Sequence, residues 1–191
     1  MFVLLHPVRS APLHLPPSLP PASQLFDLRA WGKNHRVFAN DLNPAATEYL
    51  ARNATANGLS DKLTVSTLDG GEFIRRCVSA TTAELPTHIV MNLPSHAIQL
   101  LLPSLRGAFG RERWLGRTLP TLHVYCFSTA DDPEADAIER VCEALQLPPG
   151  SQPANKAFRT RRVRNAAPGK HMLRVSFELP RECAFAAPVI Y

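Results

Sequence analysis

The chain has 191 residues, of which 45% are hydrophobic and 19% charged, with 18 prolines and 9 glycines. This length favours one domain of ordinary size, and the apolar content excludes a wholly disordered chain. No stretch approaches the roughly 20 apolar residues that a transmembrane helix requires, so we expect no membrane-spanning helix. The 4 cysteines are widely spaced among apolar residues, which favours buried, reduced thiols over disulfides or a zinc site.

Positive charge is concentrated near the carboxyl end of the chain. There are 21 Lys and Arg residues against 16 Asp and Glu residues, a net charge of +5. Residues 144–177 contain seven Lys or Arg residues and no acidic residue. Such a stretch is either a solvated surface or a surface for a polyanion, and charge alone does not separate the two.

Residues 1–34 are predicted to be a proline-rich, disordered extension, and residues 35–191 a folded domain. Six prolines fall within the first 24 residues, and proline both removes an N–H donor and restricts the residue before it. The same segment lacks acidic residues, as organelle-targeting peptides do, although those peptides carry more arginine.

Hydrophobic periodicity predicts four strand–helix pairs followed by a hairpin. The predicted strands span residues 36–40, 62–68, 87–91 and 119–127. The predicted helices span residues 45–57, a segment from 71, a segment after 95, and residues 131–147. A basic loop is expected at 107–117, and the hairpin at 158–166 and 172–179. This order predicts an α/β fold with an open, mostly parallel sheet closed by a C-terminal antiparallel hairpin.

The first predicted helix has clear end signals. Asn43 is a good N-cap, Pro44 a good first residue, and Gly58 a good stop. Helical spacing predicts that one stripe of this helix faces the core, formed by Ala46, Tyr49, Leu50 and Asn53.

Polar residues follow three of the predicted strands, namely Asp41, Asp69 and Asn92. A parallel sheet brings these strand ends to one edge, where ligands bind in such folds. An acid after an early strand can accept hydrogen bonds from ribose hydroxyls, and an Asp followed by Gly-Gly lets the backbone approach a flat ring. Each Asp alone is better explained as a helix N-terminal acid, but the three together favour a site.

The segment Asn92-Leu93-Pro94 has the most distinctive sequence. A proline close after the strand makes the turn rigid and aims the amide of Asn92 into the cleft. An ordinary helix start at the proline explains the same spacing.

Five sequence blocks resemble those of the eukaryotic and archaeal tRNA (guanine-37-N1)-methyltransferases. They are VFANDLNPAATEYLARNATANGL, LDGGEF, HIVMNLPSHA, LHVYCFS and VRNAAPGKHMLRVSFELP. The resemblance runs from about His35 to Pro180. MNLP and VRNAAPGKHML are specific in combination.

The resemblance implies a class I methyltransferase (Rossmann-like) fold and S-adenosylmethionine as cofactor. The implied reaction is methylation of N1 of guanine 37 in tRNA. By this resemblance, Asp41 and Leu42 would contact the ribose side of the cofactor, Asp69 and Gly70 the adenine side, and Asn92 the methionine end.

On the substrate side, Asn92 and Pro94 would line the target-base site. Alternation along 158–166 places Arg162 and Arg164 on one face with Thr160, and we expect that face to contact tRNA phosphates. A solubilising edge strand is the alternative. We further expect a monomer that needs neither a metal nor a membrane, in the cytoplasm, the nucleus or the mitochondrial matrix.

The sequence departs from the family before the NDLNP block. The family has a Gly-rich strand–turn motif there, whereas SQLFDLRAWGKNH contains only Gly32. The family's general base, a glutamate, and a supporting arginine also lie upstream, so no catalytic residue is assigned here. Without the first strand and Gly-rich loop, a central edge of the sheet is expected to be unpaired.

Three functions remain open on the sequence. The chain is the C-terminal portion of a tRNA methyltransferase, or a catalytically degenerate RNA-binding module that retains the fold. A methyltransferase acting on a small molecule or a protein is disfavoured by the basic hairpin.

Overall fold

A computed structural model describes residues 2–7, 35–79, 85–147 and 158–187. The strands are β1 (Phe2–Pro7), β2 (His35–Asn40), β3 (Leu63–Ser66), β4 (His88–Met91), β5 (Thr121–Ser128), β6 (Arg159–Ala167) and β7 (Lys170–Glu178). The helices are α1 (Pro44–Ala56), α2 (Gly70–Ser79), α3 (Leu101–Leu105), α4 (Arg111–Trp114), α5 (Pro133–Ala144) and α6 (Arg181–Ala184). Within the described residues, no helix is long and apolar enough to cross a membrane.

The seven strands form one sheet in the order β3-β2-β1-β4-β5-β7-β6. β2 pairs in parallel with β3, and β4 with β5, whereas β1 and β7 run antiparallel to each of their neighbours. The strands from β2 to β6 therefore share one direction. The predicted α/β class with a C-terminal hairpin is confirmed, and five of the seven strands run in one direction, although four of the six strand pairings are antiparallel because of β1 and β7. Gly169, in the hairpin turn, has a φ of 67° that favours glycine.

The prediction that the start of the chain lacks regular structure is wrong for residues 2–7. The run Phe2-Val3-Leu4-Leu5 precedes the first proline, Pro7, and has the apolar, partly β-branched composition of a strand. β1 lies between β2 and β4, with Leu4 opposite both Phe38 and Ile89. The expected unpaired central edge is therefore closed. Residues 8–34 lie outside the described residues, and the boundary at residue 35 stays a prediction.

Helix α1 is rotated relative to the predicted stripe. The N-cap is confirmed, because Asn43 Oδ1 accepts a hydrogen bond from the Ala45 N–H at 3.0 Å. The helix buries Thr47 and Ala54, however, and Tyr49 is 64% exposed. The hydroxyl of Thr47 bonds that of Thr67 at 2.8 Å, which turns this polar residue toward the sheet. Of the predicted stripe, Leu50 packs against buried residues, whereas Ala46, Tyr49 and Asn53 are exposed.

The larger core lies on the sheet face covered by α2, α3 and α5. The segment 107–117, predicted as a basic loop, contains α4 and buries Trp114 completely. Trp114 Nε1 donates to the Val78 carbonyl at 3.2 Å, so one aromatic side chain ties this segment to α2. The opposite face carries a smaller core that includes Val37, Val90 and Met172.

The four cysteines are free thiols, as predicted, with Cys126 and Cys183 buried. Burial raises the pKa of Cys77, Cys126 and Cys183 to about 11. The thiolate is the reactive form, so these side chains act as packing groups.

A chain of polar side chains crosses three strands at the other edge of the sheet. His88 Nδ1 lies 3.0 Å from His123 Nε2, and His123 Nδ1 lies 2.9 Å from the Ser176 hydroxyl. His123 is 3% exposed. Burial, assisted by His88 and Arg174, lowers the pKa of His123 to about 3, so this imidazole is neutral at physiological pH.

Candidate functional site

The ends of β2, β3, β4 and β5 meet at one edge of the sheet, because these strands are parallel. Asp41 follows β2, Asp69 follows β3, and Asn92 follows β4. The structure therefore places all three predicted residues at the same edge. Phe2 of β1 pairs with both Asn40 and Met91, so one strand separates Asp41 from Asn92.

Asn40 joins the two loops that carry the aspartates. This side chain is 1% exposed, and its Nδ2 donates to the Leu68 carbonyl at 2.8 Å. Its Oδ1 accepts from the Leu68 N–H and from the Ser66 hydroxyl, both at 2.9 Å. Asn40 thereby fixes Asp41 relative to Asp69. Its only sequence signal is an amide at the end of a buried strand.

The Asp41 side chain shapes its own loop. Oδ1 accepts from the Asn43 N–H at 3.0 Å, an Asx turn that fixes the carboxylate ahead of α1. The neighbouring Leu42 is 72% exposed. A carboxylate beside an exposed apolar side chain fits a ligand with hydroxyls on one side and a carbon framework on the other.

Asp69 caps α2 and can still accept from a ligand. Oδ1 accepts from the N–H groups of Gly71 and Glu72 at 2.9 and 3.1 Å, so the helix-terminus interpretation is correct for this oxygen. These bonds leave Oδ2 available. Gly70, the first residue of α2, is buried.

Gly71 serves helix packing. A Cβ atom there would lie 3.2 Å from Asp69 Oδ1 and 3.3 Å from Ser104 Oγ, which is closer than ordinary contact. The absence of a side chain lets α2 approach α3. Gly71 therefore has a packing role, whereas the sequence suggested that the backbone of Gly-Gly approaches the ring of a ligand.

Asn92 and Pro94 follow β4 in a helical turn. The Ala97 N–H donates to the Leu93 carbonyl at 2.8 Å, and α3 begins only at Leu101, later than predicted. Pro94 faces α5 across an open groove of about 400 Å³, called here the Pro94 groove. It is lined by Pro94, Ser95, Ile98, Gln99, Arg140, Glu143 and Ala144.

A second open groove, of about 440 Å³, lies at the end of β5 and is called here the Lys170 groove. It is lined by Phe127, Ser128, Thr129, Ala130, Asp136, Arg140 and Lys170. Arg140 contributes to both grooves, which makes them neighbours. No pattern in the sequence singled out this groove, since its residues come from three separate segments.

Arg162 and Arg164 do not share a face of the sheet, so the prediction from alternation is wrong. Arg162 pairs with Leu173, whereas Arg164 pairs with Met172, with an irregularity between them at Val163. Leu173 belongs to the core beneath α5, and Met172 to the core on the opposite face. A β-bulge adds one residue to β6 and turns the following side chains over.

The two arginines also differ in their partners. Arg162 forms a two-pronged ion pair with Glu134 of α5, with Nε–Oε1 at 2.6 Å and Nη2–Oε2 at 3.0 Å. The hydrogen bond from Arg162 is the main reason that the pKa of Glu134 lies below its usual value. Arg164 is exposed and forms no side-chain bond with the described residues.

The chain is similar in sequence to part of several longer proteins that are named as methyltransferases. No family model matches it. It is 44% identical over 162 residues to tRNA (guanine(37)-N(1))-methyltransferase 1 of Vitis vinifera, covering 83% of this chain and 25% of that protein. It is 42% identical over 152 residues to tRNA (guanine(37)-N(1))-methyltransferase 2 of Arabidopsis thaliana, covering 79% and 23%. The chain thus spans about a quarter of the length of these relatives.

Among solved structures, the crystal structure of Trm5b from Pyrococcus abyssi has a TM-score of 0.50 with 22% identity. The match covers 74% of this chain and 36% of that one. This similarity supports the Rossmann-like fold.

Proposed function

Because the chain belongs, over the segment that it spans, to the tRNA (guanine(37)-N(1))-methyltransferase family, we propose that it takes part in S-adenosylmethionine-dependent methylation of N1 of guanine 37 in tRNA. The observation that carries the proposal is the arrangement at the sheet edge. Asp41 and Asp69 are held together there by Asn40, on the edge where Asn92 also lies.

The cofactor side of this site fits a nucleoside. Asp41 and Leu42 are proposed to contact the ribose, and Asp69 and Gly70 the adenine. Asp69 Oδ2 lies outside the capping bonds of Oδ1 and is suited to accept from an exocyclic amine. Asn92 is proposed to hold the methionine end. When bound, S-adenosylmethionine supplies the methyl group.

The target base is proposed to enter the Pro94 groove beside Pro94, and Asn92, which lies two residues ahead of that lining, is proposed to reach the edge of the base. N1 of guanine carries a proton, so methylation requires a base that removes it. No residue of this chain is assigned to that role. The chain spans a quarter of its relatives, and the rest of such a protein is the proposed source of the base.

We propose that tRNA is the partner and that the monomer is the acting form, in the cytoplasm, the nucleus or the mitochondrial matrix. Arg162 and Arg164 are proposed phosphate contacts. Arg164 is exposed and available, whereas Arg162 must exchange its bonds with Glu134 for bonds with phosphate.

A catalytically degenerate RNA-binding module is the second candidate, because β1 places the chain itself between Asp41 and Asn92. A cofactor that contacts both Asp41 and Asn92 would therefore have to pass the end of β1. The basic hairpin supports RNA binding under either function.

The test is calorimetry with S-adenosylmethionine, together with transfer of a labelled methyl group to an anticodon stem–loop RNA. The chain is tested alone and joined to the part of the Vitis vinifera relative that it does not span. Asp41→Ala and Asp69→Asn should each weaken cofactor binding by about 1–3 kcal/mol. Asn92→Ala should lower the transfer rate more than the RNA affinity.

Asparagine at position 69 can still cap α2, so the Asp69 variant separates ligand binding from helix stability. RNA binding without cofactor binding or methyl transfer in either form would favour the second candidate. Unchanged cofactor affinity in both aspartate variants would contradict the assignment of these residues.

A further inference from the structure

Phe127 orients two cations at the end of β5 through two different groups. Its carbonyl oxygen accepts from Arg140 Nη1 at 2.9 Å. Its ring lies beneath Lys170, with Nζ 4.5 Å from the ring centroid. A cation over an aromatic face is attracted by the ring quadrupole. Both cations therefore have defined positions along the Lys170 groove.

The side chains that line this groove carry a net positive charge. Arg140 Nη1 also bonds Asp136 Oδ2 at 3.2 Å, which balances one positive charge and holds the guanidinium in place. Lys170 supplies a further positive charge to the same lining. Arg140 is 41% exposed at its side chain and uses only Nη1 in these bonds, which leaves Nε and Nη2 outside them.

The backbone around the groove is also fixed. The Ser128 hydroxyl accepts from the Ala130 N–H at 3.2 Å, which closes the loop after β5. Asp132 Oδ1 accepts from the Ala135 N–H at 3.1 Å and caps α5. The two cations thus border a preformed groove with a volume of about 440 Å³.

The position of the groove indicates which ligand would reach it. Arg140 lines both the Lys170 groove and the Pro94 groove. A ligand that places a base in the Pro94 groove and continues as a strand would pass Arg140 into the Lys170 groove. The group that repeats along a nucleic-acid strand is a phosphate, and Lys and Arg recognise it through charge-assisted hydrogen bonds.

We infer that the Lys170 groove binds one backbone phosphate of the substrate RNA, next to the nucleotide in the Pro94 groove, through Lys170 and Arg140. This inference rests on the proposed function, since it assumes RNA as the substrate. It adds a second contact that would fix the register of the strand relative to the target base.

The test is a thermodynamic cycle on the full chain and an anticodon stem–loop RNA. Single methylphosphonate linkages, which are neutral, replace the phosphates on either side of guanine 37 one at a time. The protein variant is Lys170→Gln. At the linkage in contact with Lys170, neutralising the phosphate should weaken binding to the unchanged chain about tenfold. The same linkage should have a clearly smaller effect on Lys170→Gln, in which only Arg140 still contacts the phosphate.

Salt dependence gives an independent measurement. For Lys170→Gln, the slope of log Kobs against log salt should become shallower by about 0.7–0.9. Lys170→Arg keeps the charge and should retain most of the affinity. Arg52→Gln on α1 is the matched control, because it removes one positive charge from an exposed pair with Glu48 elsewhere on the molecule. It should show no coupling to any linkage.

Phe127→Leu tests the positioning of the two cations. The ring is lost but both cations remain, so RNA affinity should fall less than in Lys170→Gln while the linkage preference becomes weaker. Thermal unfolding of each variant verifies that the fold is retained. If Phe127→Leu does not fold, the Lys170 cycle still decides the inference.

Equal loss at every linkage for the unchanged chain and for Lys170→Gln would overturn the inference. So would inorganic phosphate binding that depends on Lys170 without coupling to any RNA linkage, since the groove would then serve a free anion. Failure of the proposed function is distinguishable: the unchanged chain would bind RNA with linkage coupling but, when joined to the part of the Vitis vinifera relative that it does not span, transfer no methyl group.

Discussion

Asn40 is a single buried amide on which two loops of the candidate site depend. Asn40→Ala removes three hydrogen bonds and leaves the Leu68 N–H and carbonyl without this partner. We expect the free energy of unfolding to fall by about 1–3 kcal/mol. Affinity for S-adenosylmethionine should fall as well, because Asp41 and Asp69 lose their common support. Urea denaturation and calorimetry measure the two effects.

The control for Asn40 is Asn53→Ala, an exposed position on α1. Alanine has the higher helix propensity, so this variant should be neutral or slightly stabilised. A loss of stability in Asn40→Ala with unchanged cofactor affinity would show that Asn40 serves the fold alone.

His123 makes the stability of the protein depend on pH. Its pKa is about 3 in the folded chain and 6.5 when exposed, so the unfolded state binds a proton that the folded state does not. The contribution of neutral His123 is fully present above pH 6.5 and decreases as the pH falls from 6.5 toward 3. At pH 5 the expected loss is about 2 kcal/mol.

The measurement is urea denaturation of the chain and of His123→Gln at pH 7 and pH 5. The glutamine variant should be less stable at pH 7 but should lose about 2 kcal/mol less between the two pH values. His96→Gln, at an exposed position, should keep the dependence of the unchanged chain. Equal losses in all three proteins would assign the acid sensitivity to other groups.

At the scale of single residues, the sequence predicted caps and strand-end positions better than side-chain partners. Asn43 at the start of α1 is a local signal, and its cap is present. Asn40 and Arg140 act through residues 13 or more positions away. Only the register of the sheet and the packing of α5 bring those partners together.

In the hairpin of β6 and β7, the side-chain faces predicted from the sequence differ from those in the structure. Alternation assumes a strict period of two, and one extra residue moves every later side chain to the other face. The irregularity at Val163 leaves Arg162 beside α5 and turns Arg164 toward the opposite face. Hydrophobic pattern cannot locate a bulge in a strand that is mostly exposed and charged.

Because Arg162 and Arg164 lie on opposite faces of the sheet, we expect different effects when each is replaced. Arg164→Gln should weaken tRNA binding and make the salt slope shallower by about 0.7–0.9. Arg162→Gln should change the slope less, because Glu134 already holds that guanidinium. It should change the free energy of unfolding little, since the pair is largely solvated. Binding titrations at several salt concentrations measure the slopes.

Arg76→Gln on α2 is the matched control, with an exposed arginine paired to Glu72. It should leave the slope nearly unchanged. A slope change for Arg162→Gln as large as that for Arg164→Gln would mean that RNA displaces Glu134.

For the molecule as a whole, β1 completes the sheet. It is a central strand, so each of its N–H groups faces one of two neighbours, β2 or β4. Leu4→Pro removes one of these donors and should expose strand edges, with aggregation as the expected result. Leu4→Ala shortens the same side chain but keeps the N–H, and should remain monodisperse. Size-exclusion chromatography with light scattering compares them.

If Leu4→Pro is as monodisperse and as stable as Leu4→Ala, the sheet does not depend on β1. The direction of β1 is the part of the fold that the sequence could not supply. A short apolar run is compatible with a strand, but pairing partners and direction follow from tertiary contacts, such as those of Leu4 with Phe38 and Ile89, which lie 34 and 85 residues further along. The order of strand–helix pairs, by contrast, is a local property, and it was predicted correctly.

The direction of β1 also decides how the chain should be handled for experiments. Phe2 lies opposite Asn40 and Met91, so a peptide joined ahead of it starts at the edge that carries Asp41 and Asn92. Glu178, the last residue of β7, pairs with Thr121 at the other edge, and α6 follows there. An affinity tag at the amino terminus would therefore start at the edge that carries the candidate site, whereas α6 lies on the far side of the sheet.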